Sequence, residues 1–526
     1  MDNLGSYNFV GLATWTHGQH TFKFGEDTLL PWRDRRDTSS QGNFGCDNSG
    51  VCDGNGFSQS ITGRADVNGS GLSIASFLLG DASTFGRVIY ANNLPLAHQT
   101  RTAPYIQDTW RVTPKLTLTL GLRWDFIGYP TSPQKGGIAN FNFSNANTII
   151  SNYGNTTATA NVKNNFGDWG PRIGIAYRLF ENTVIRAGYA RSYSIGFYGA
   201  NFGAITNDWP SASRQKVVQP DPYTPALTLE QGPPPFVSGY AVLAAAGNPG
   251  QYPTPSDSAA FGTDPSNPDN SVDQWNLTVQ HQFANDFTVS AAYVGNSVRH
   301  LFYRLDYNVA PPGPGPFNPR RRYDSFGFDL NAYNQSNQSS TGYESMQLNA
   351  QKRFSKGLLF TSAFTWSKSY DFGGHNPMDM LNQDIDRAVQ DSDRQFVFTA
   401  SHVWELPIGP GKRWLNSGGP AKYVLGGWQI SGIWTIESGL PFTPTLGDSA
   451  SLNSDCCTLR PNLMGDPNIS NQNRNLWFNP TAFAVPAQYQ FGNSGRNILR
   501  GPGFFHTDLS LLKGFQFTER MRLELS

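Results

Sequence analysis

Residues 116–126 read LTLTLGLRWDF. Leu116, Leu118, Leu120, Leu122, Trp124 and Phe126 fall on one side of an extended chain, and Thr117, Thr119, Gly121, Arg123 and Asp125 on the other. A strict period of two over this length is the signature of a β-strand with one apolar and one polar face. The pattern recurs. Ile173, Ile175, Tyr177 and Leu179 alternate with Gly174, Ala176 and Arg178; Trp275, Leu277 and Val279 with Asn276, Thr278 and Gln280; Phe287, Val289, Ala291 and Tyr293 with Thr288, Ser290 and Ala292. Residues 359–366 and 428–436 repeat it more weakly.

The spacing of these strands adds a second rhythm. Short connections at 113–115, 180–182, 283–286, 354–357 and 515–518 alternate with long ones at 128–167, 195–270, 296–340, 371–393 and 438–503. Several structureless loops of that length sit badly in a compact soluble domain. A transmembrane β-barrel has this asymmetry by construction, with short turns at one rim and long loops at the other. The long segments carry loop chemistry, as in PPGPGPFNP and GNPGQYPTPSD. Roughly 14–16 strands are expected. Trp110, Trp124, Tyr129, Tyr193, Trp275, Tyr293, Trp366, Trp404, Trp428 and Trp434 lie near strand ends, where a barrel places its aromatic girdles. The core aromatics of a β-sandwich would give the same positions.

Composition narrows the class. Charged residues make up 15% and aromatics 13%, with 54 glycines and 35 prolines. The 39 basic and 39 acidic residues cancel, which excludes a nucleic-acid binder driven by bulk charge. Mean hydropathy is −0.43, and no apolar run approaches the ~18 residues of a membrane helix. The N-terminus, MDNLGSYNFVGLATWT, has neither a basic n-region nor an apolar h-region. The C-terminus, TERMRLELS, stops inside an alternating run. The expectation is a fragment, all-β, of an antiparallel barrel in meander order with long extracellular loops.

Several stretches, in order, resemble the barrel of TonB-dependent outer-membrane transporters, in particular the Oar-like subgroup. They are HTFKFGED at 20–27, SIASFLLGD at 73–81, YIQDTWRVTPKLTLTLGLRWDF at 105–126, and WGPRIGIAYRL with TVIRAGYARSY within 169–193. QWNLTVQHQF and SAAYVGNSVRHL follow within 274–301, then YESMQLNAQKRFSKGLLFTSAFTWSKSYD at 343–371. VLGGWQISGIWTIESGLPFTP at 424–444 and RGPGFFHTDLSLLKGFQFTERMRLEL at 500–525 complete the set. The resemblance implies a barrel of about 22 strands around a plug, an N-terminal segment that couples the plug to the TonB complex, and often a carboxypeptidase-regulatory-like domain ahead of it. Residues 1–526 read as barrel region alone, without plug, signal peptide or that domain. The implied partners are outer-membrane lipid, the plug of the same full-length protein, the TonB complex and an unidentified ligand such as a siderophore, glycan or peptide. The implied place is the outer membrane of a Gram-negative bacterium. A passive porin-like channel and a secreted soluble β-protein are the rival readings; no repeat at 40–50 residues favours a propeller.

Candidate functional residues follow from the faces. Leu118, Leu120, Leu122 and Trp124 are expected to meet lipid. Arg123, Asp125, Arg172, Arg178, Arg186, Arg520, Arg522 and Glu524 are expected to face the lumen, because a charge on the lipid face near the midplane costs ~2–4 kcal/mol. Cys46 and Cys52 bracket CDNSGVC and read as a loop disulfide. Cys456 and Cys457 are adjacent, and either a vicinal bridge or two free thiols suits them. Asp47, Asn48, Asp53 and Asn55 read as a solvated turn rather than a calcium loop. Asp379, Asp384, Asp386, Asp391 and Asp393 read as solvated, as does the basic run Arg320, Arg321 and Arg322. His17 and His20 read as turn residues. No cofactor or metal ligand set stands out, and no phosphate-binding loop, nucleophile elbow, zinc-protease motif or CxxC supports enzymatic activity.

Overall fold

The computed structural model describes residues 2–35, 42–44, 56–63, 71–90, 96–194, 209–219, 223–235, 237–255, 260–284, 286–373, 377–409, 411–416, 420, 424–446, 450–454, 457–518 and 521–526. Fourteen long strands form one antiparallel meander. They are β1 (Asp2–His17), β2 (His20–Arg35), β3 (Tyr105–Thr113), β4 (Leu116–Trp124), β5 (Trp169–Phe180), β6 (Thr183–Ser194) and β7 (Asn270–Ala284). Then come β8 (Phe287–Asp306), β9 (Ala332–Ser355), β10 (Leu358–Asp371), β11 (Phe396–Glu405), β12 (Trp428–Glu437), β13 (Phe504–Thr518) and β14 (Met521–Leu525). Each pairs with its neighbours in chain order. Among the described residues β1 pairs only with β2, and β14 only with β13. The hairpin joining β9 to β10 turns on Lys356 (φ 51°) and Gly357 (φ 80°). Two successive positive φ angles make the hairpin turn whose twist matches that of the strands.

Register sorts the side chains. One row of direct partners runs Trp15, Phe22, Asp108, Leu120, Ile173, Tyr189, Trp275, Gly295, Glu344 and Lys368, from β1 to β10. Trp15 lies two residues from the short-turn end of β1, and Lys368 lies ten from that of β10. With ~3.3 Å per residue and ~4.8 Å between strands, this climb tilts the strands by roughly 30°, near the tilt of closed barrels. The polar members of an otherwise apolar row are thereby explained. Asp108 stands near the short-turn rim, where its Oδ2 meets Nδ1 of His20 at 2.7 Å, so His20 serves more than its turn. Glu344 and Lys368 stand at the opposite end, beyond the aromatic Tyr189 and Trp275.

The apolar face is bare. Leu120 is 45% exposed, Ile173 47% and Leu277 48%. The buried apolar clusters lie among the long connections instead. Phe141, Tyr323, Phe328 and Ala332 form one, and Ile150, Trp209 and Leu243 another. Two short helices, Ser73–Leu79 and Gly239–Ala245, also sit in connections.

Two connections depart from the sequence reading. Residues 296–340 are not all loop: β8 runs on to Asp306 and β9 starts at Ala332. The stretch AYNQSNQSST carries loop-type residues, yet Asn334 to Ser339 pair with Leu305 to Leu301. This part rises past the apolar band, where no surrounding solvent imposes alternation. Conversely, residues 406–427 join β11 to β12 at the short-turn rim, since Glu405 pairs with Gln429. That long connection escaped the sequence reading, which saw only tight turns on this side. The connections 125–168, 195–269, 307–331, 372–395 and 438–503 all leave from the other rim, as does 36–104 between β2 and β3, which the sequence reading did not place.

Glycines in the sheet serve neighbouring rings. Gly5, Gly25, Gly295, Gly342 and Gly432 are the direct partners of Trp32, Tyr105, Trp275, Tyr370 and His402, and a Cβ at each glycine would strike that partner's ring. The ring lies across the bare backbone and covers it. In Gly295→Val the Cβ would come 2.5 Å from Trp275 Nε1, and displacing the ring should cost about 1–3 kcal/mol. Gly11 has nothing within 4 Å. Heat-modifiable gel mobility should show a lowered unfolding temperature for Gly295→Val and little change for Gly11→Val.

Candidate functional site

The face opposite the leucines is mostly polar, with Val10, Leu12 and Ile433 among its apolar exceptions. Its partner row runs Thr14, Lys23, Gln107, Gly121, Arg172, Ala190, Gln274, Asn296, Tyr343 and Ser369. Leu118, Leu120, Leu122 and Trp124 alternate onto the other side of β4. Arg123 pairs with Gly170, Arg178 with Val184 and Arg186 with Ala176, all on the polar face. Arg186 Nη1 donates to Gln280 Oε1 at 2.7 Å. Arg522 and Glu524 pair with Gln516 and Gly514, and Glu524 lies on the side away from Leu523 and Leu525. Arg520 lies outside the described residues. Among the described residues the structure brings together Arg123 and Asp125, with Nε 2.8 Å from Oδ1. Arg172, Arg178 and Arg186 stand at separate positions along the wall.

The built feature of this face is a cavity of about 590 Å³ at its long-loop end. Its wall takes Asn296 from β8, Thr341 and Tyr343 from β9, Thr365, Ser367 and Ser369 from β10, and Val397 from β11. Gln390, Ser392 and Arg394 close it from the β10–β11 connection. That connection is fastened to the strand beneath. Asp393 Oδ1 accepts from the Ser369 backbone N–H at 2.7 Å and from its hydroxyl at 3.1 Å, and the Ser367 N–H donates to the Gln395 carbonyl at 2.8 Å. Arg500 pairs with Asp393, and Arg394 Nε lies 3.1 Å from Glu437. The signal for these contacts was in the sequence only as unassigned charges in separate loops.

The acidic loop reading needs correction. Asp386 and Asp393 are not solvated; each is 2% exposed. Arg460 pairs with Asp386, and Arg496 reaches Asp371 and, at 2.8 Å, Asp391. Arginines of the 438–503 connection thus neutralise carboxylates of the 372–395 connection, which makes their burial affordable. The basic run is likewise structural. Arg320 donates to the carbonyls of Pro311 and Asn453, Arg321 Nη1 to that of Asn308 at 2.7 Å, and Arg322 lies over Tyr307 and Tyr323. Cys457 is disulfide-bonded. Cys46, Cys52 and Cys456, with Asp47, Asn48, Asp53 and Asn55, lie outside the described residues.

Where two long connections return to the sheet, carboxyls meet. Asp168 and Asp269 are hydrogen-bonded to each other, and Asp125 is close enough for its charge to act on Asp168. The Asp125 N–H donates to the Asp168 carbonyl at 2.9 Å. One oxygen of each of the three carboxyls is buried without a partner. Asn165 Nδ2 donates to Asp168 at 2.5 Å, and His300 opposes the negative charge. Asp269 is pushed up to about 8 by burial first, then by its bond to Asp168 and by that group's charge. Asp168 is raised as well, chiefly by burial. A raised acid holds a proton that the unfolded chain has already released, so its contribution is present at low pH and fades as pH climbs toward about 8. Amide protection factors at 160–168 and 264–270, with the intrinsic rise of exchange with pH divided out, should therefore be higher at pH 6 than at pH 9. Asp269→Asn should remove most of that difference.

A profile of the outer membrane beta barrel domain matches residues 2–526. No curated protein matches the chain. Solved structures similar to it include a variant of the ferric enterobactin receptor PfeA from Pseudomonas aeruginosa, at 10% identity, 99% of this chain, 48% of that one and TM-score 0.43. The outer membrane transporter YddB from Escherichia coli gives 10% identity, 99% and 49% coverage and TM-score 0.49. The FrpB iron transporter from Neisseria meningitidis gives 11%, 98%, 48% and 0.40. The chain spans about half the length of each. With one profile covering the fourteen-strand meander from end to end, the chain belongs to the outer membrane beta barrel domain family.

Proposed function

We propose that the chain is the wall of an Oar-like, TonB-dependent receptor that takes up a ligand across the outer membrane. The observation that carries this is the two-faced sheet. Its apolar face is bare from β3 to β13, its opposite face is mostly polar, and one rim bears six long connections. In this reading the apolar face, with Leu118, Leu120, Leu122 and Trp124, meets hydrocarbon. The polar face, with Arg123, Asp125, Arg172, Arg178, Arg186, Arg520, Arg522 and Glu524, lines the lumen and meets the plug of the full-length protein. The long connections capture the ligand at the cell surface, and the TonB complex drives its release inward through the plug.

Two experiments test the reading. Leu120→Arg places a charge toward the bilayer midplane at ~2–4 kcal/mol, while Thr119→Arg points the same group into water. The first should deplete the full-length protein from the outer membrane and the second should be tolerated; equal tolerance defeats the lipid-facing assignment. Deleting the TonB protein should abolish saturable ligand uptake while leaving surface binding intact. Uptake that persists without it would make the chain a passive channel.

A further inference from the structure

We propose that the cavity at the long-loop end of the polar face is a subsite for a neutral polyhydroxylated ligand of the carbohydrate class. This rests on the uptake reading above and names the chemistry of the ligand. The lining is hydroxyls and amides. Its one charged side chain, Arg394, is already committed: Nε to Glu437 at 3.1 Å and Nη1 to the Ser438 carbonyl at 2.8 Å. Among the described residues of the lining no cation is left over to attract an anionic chelate or an acidic peptide, as recognition of either requires.

Four of the lining groups are uncommitted. The side chains of Asn296, Tyr343, Thr365 and Ser392 make no hydrogen bond within the described chain. Their neighbours Thr341, Ser367, Ser369 and Gln390 are spent on the backbone, on the Asp393 carboxylate and on one another. Hydroxyls and amides donate and accept at once, as sugar hydroxyls do. Tyr343 adds a ring face for the C–H edge of a pyranose. At about 590 Å³ the space falls within the usual range of small-molecule sites. Asn296 and Tyr343 are direct partners across β8 and β9, so the uncommitted groups stand on paired strands rather than on loose loops. Ser392 comes from the connection that Asp393 pins to Ser369. The groups are therefore held in place before a ligand arrives, which reduces the ordering cost of binding.

The test uses the full-length protein in detergent, with its plug, against an array of neutral and anionic oligosaccharides and against a ferric catechol chelate. At least one neutral oligosaccharide should bind. Tyr343→Ala and Asn296→Ala should each weaken it about tenfold or more, and Tyr343→Phe less, since the ring remains. Lys115→Ala, at the opposite rim, should bind as the parent does. Folding of each variant is checked by heat-modifiable mobility. Retention of only anionic glycans or only the chelate would overturn the proposal. So would neutral glycan binding that ignores both alanine variants, or no binding at all because the plug fills the space. Loss of TonB dependence in cells would defeat the uptake reading without touching this result, and loss of glycan binding would leave uptake by some other ligand standing.

Discussion

Backbone hydrogen bonding between sequential neighbours is the constraint from which the rest of this structure follows. In hydrocarbon every N–H and C=O must find a partner within the protein, and a meander of paired strands provides them along its whole length. Once the pairing is set, register fixes everything else. It places Leu120 beside Ile173 and Gly121 beside Arg172, so one face collects carbon and the other collects polar groups. It also sets the oblique climb that carries a single row from Trp15 through Leu120 to Lys368. A slip of one residue anywhere would turn every later side chain to the wrong solvent.

The chain is built for two solvents, and its packing reflects both. Between β3 and β13 the strands bury little against one another. Their leucines and isoleucines wait for lipid, and their stability in water would be poor. The connections do the opposite: they fold inward on Phe141, Tyr323 and Phe328, on Ile150 and Trp209, and on ion pairs such as Arg460–Asp386. The long-loop layer is thus a globular structure resting on the end of a membrane sheet.

That division explains what could be read from the sequence. Strands at 116–126, 173–179, 275–279 and 287–293 were legible because lipid on one side and water on the other write alternation directly into the residues. Above the apolar band that pressure ends, and the paired stretch around Asn334 to Ser339 passes for loop. The face of each charge on the wall followed from parity alone, as for Arg123 and Arg178. The ion pairs of the long-loop layer did not, because Asp386 and Arg460 are joined by no local pattern; only the folded connections bring them together. The cavity was invisible for the same reason. It needs four paired strands and a segment that doubles back over them.

The bond from Asp393 to Ser369 has a consequence for how the outer layer moves. Asp393 is gripped from above by Arg500 and from below by the backbone of β10, while Arg394 beside it holds Glu437 at the end of β12. The 438–503 segment and the cavity wall are therefore parts of one linkage. Arg496 adds ties to Asp371 of β10 and to Asp391, and Arg460 to Asp386. A load placed on that segment is therefore shared among several ion pairs before it reaches the wall.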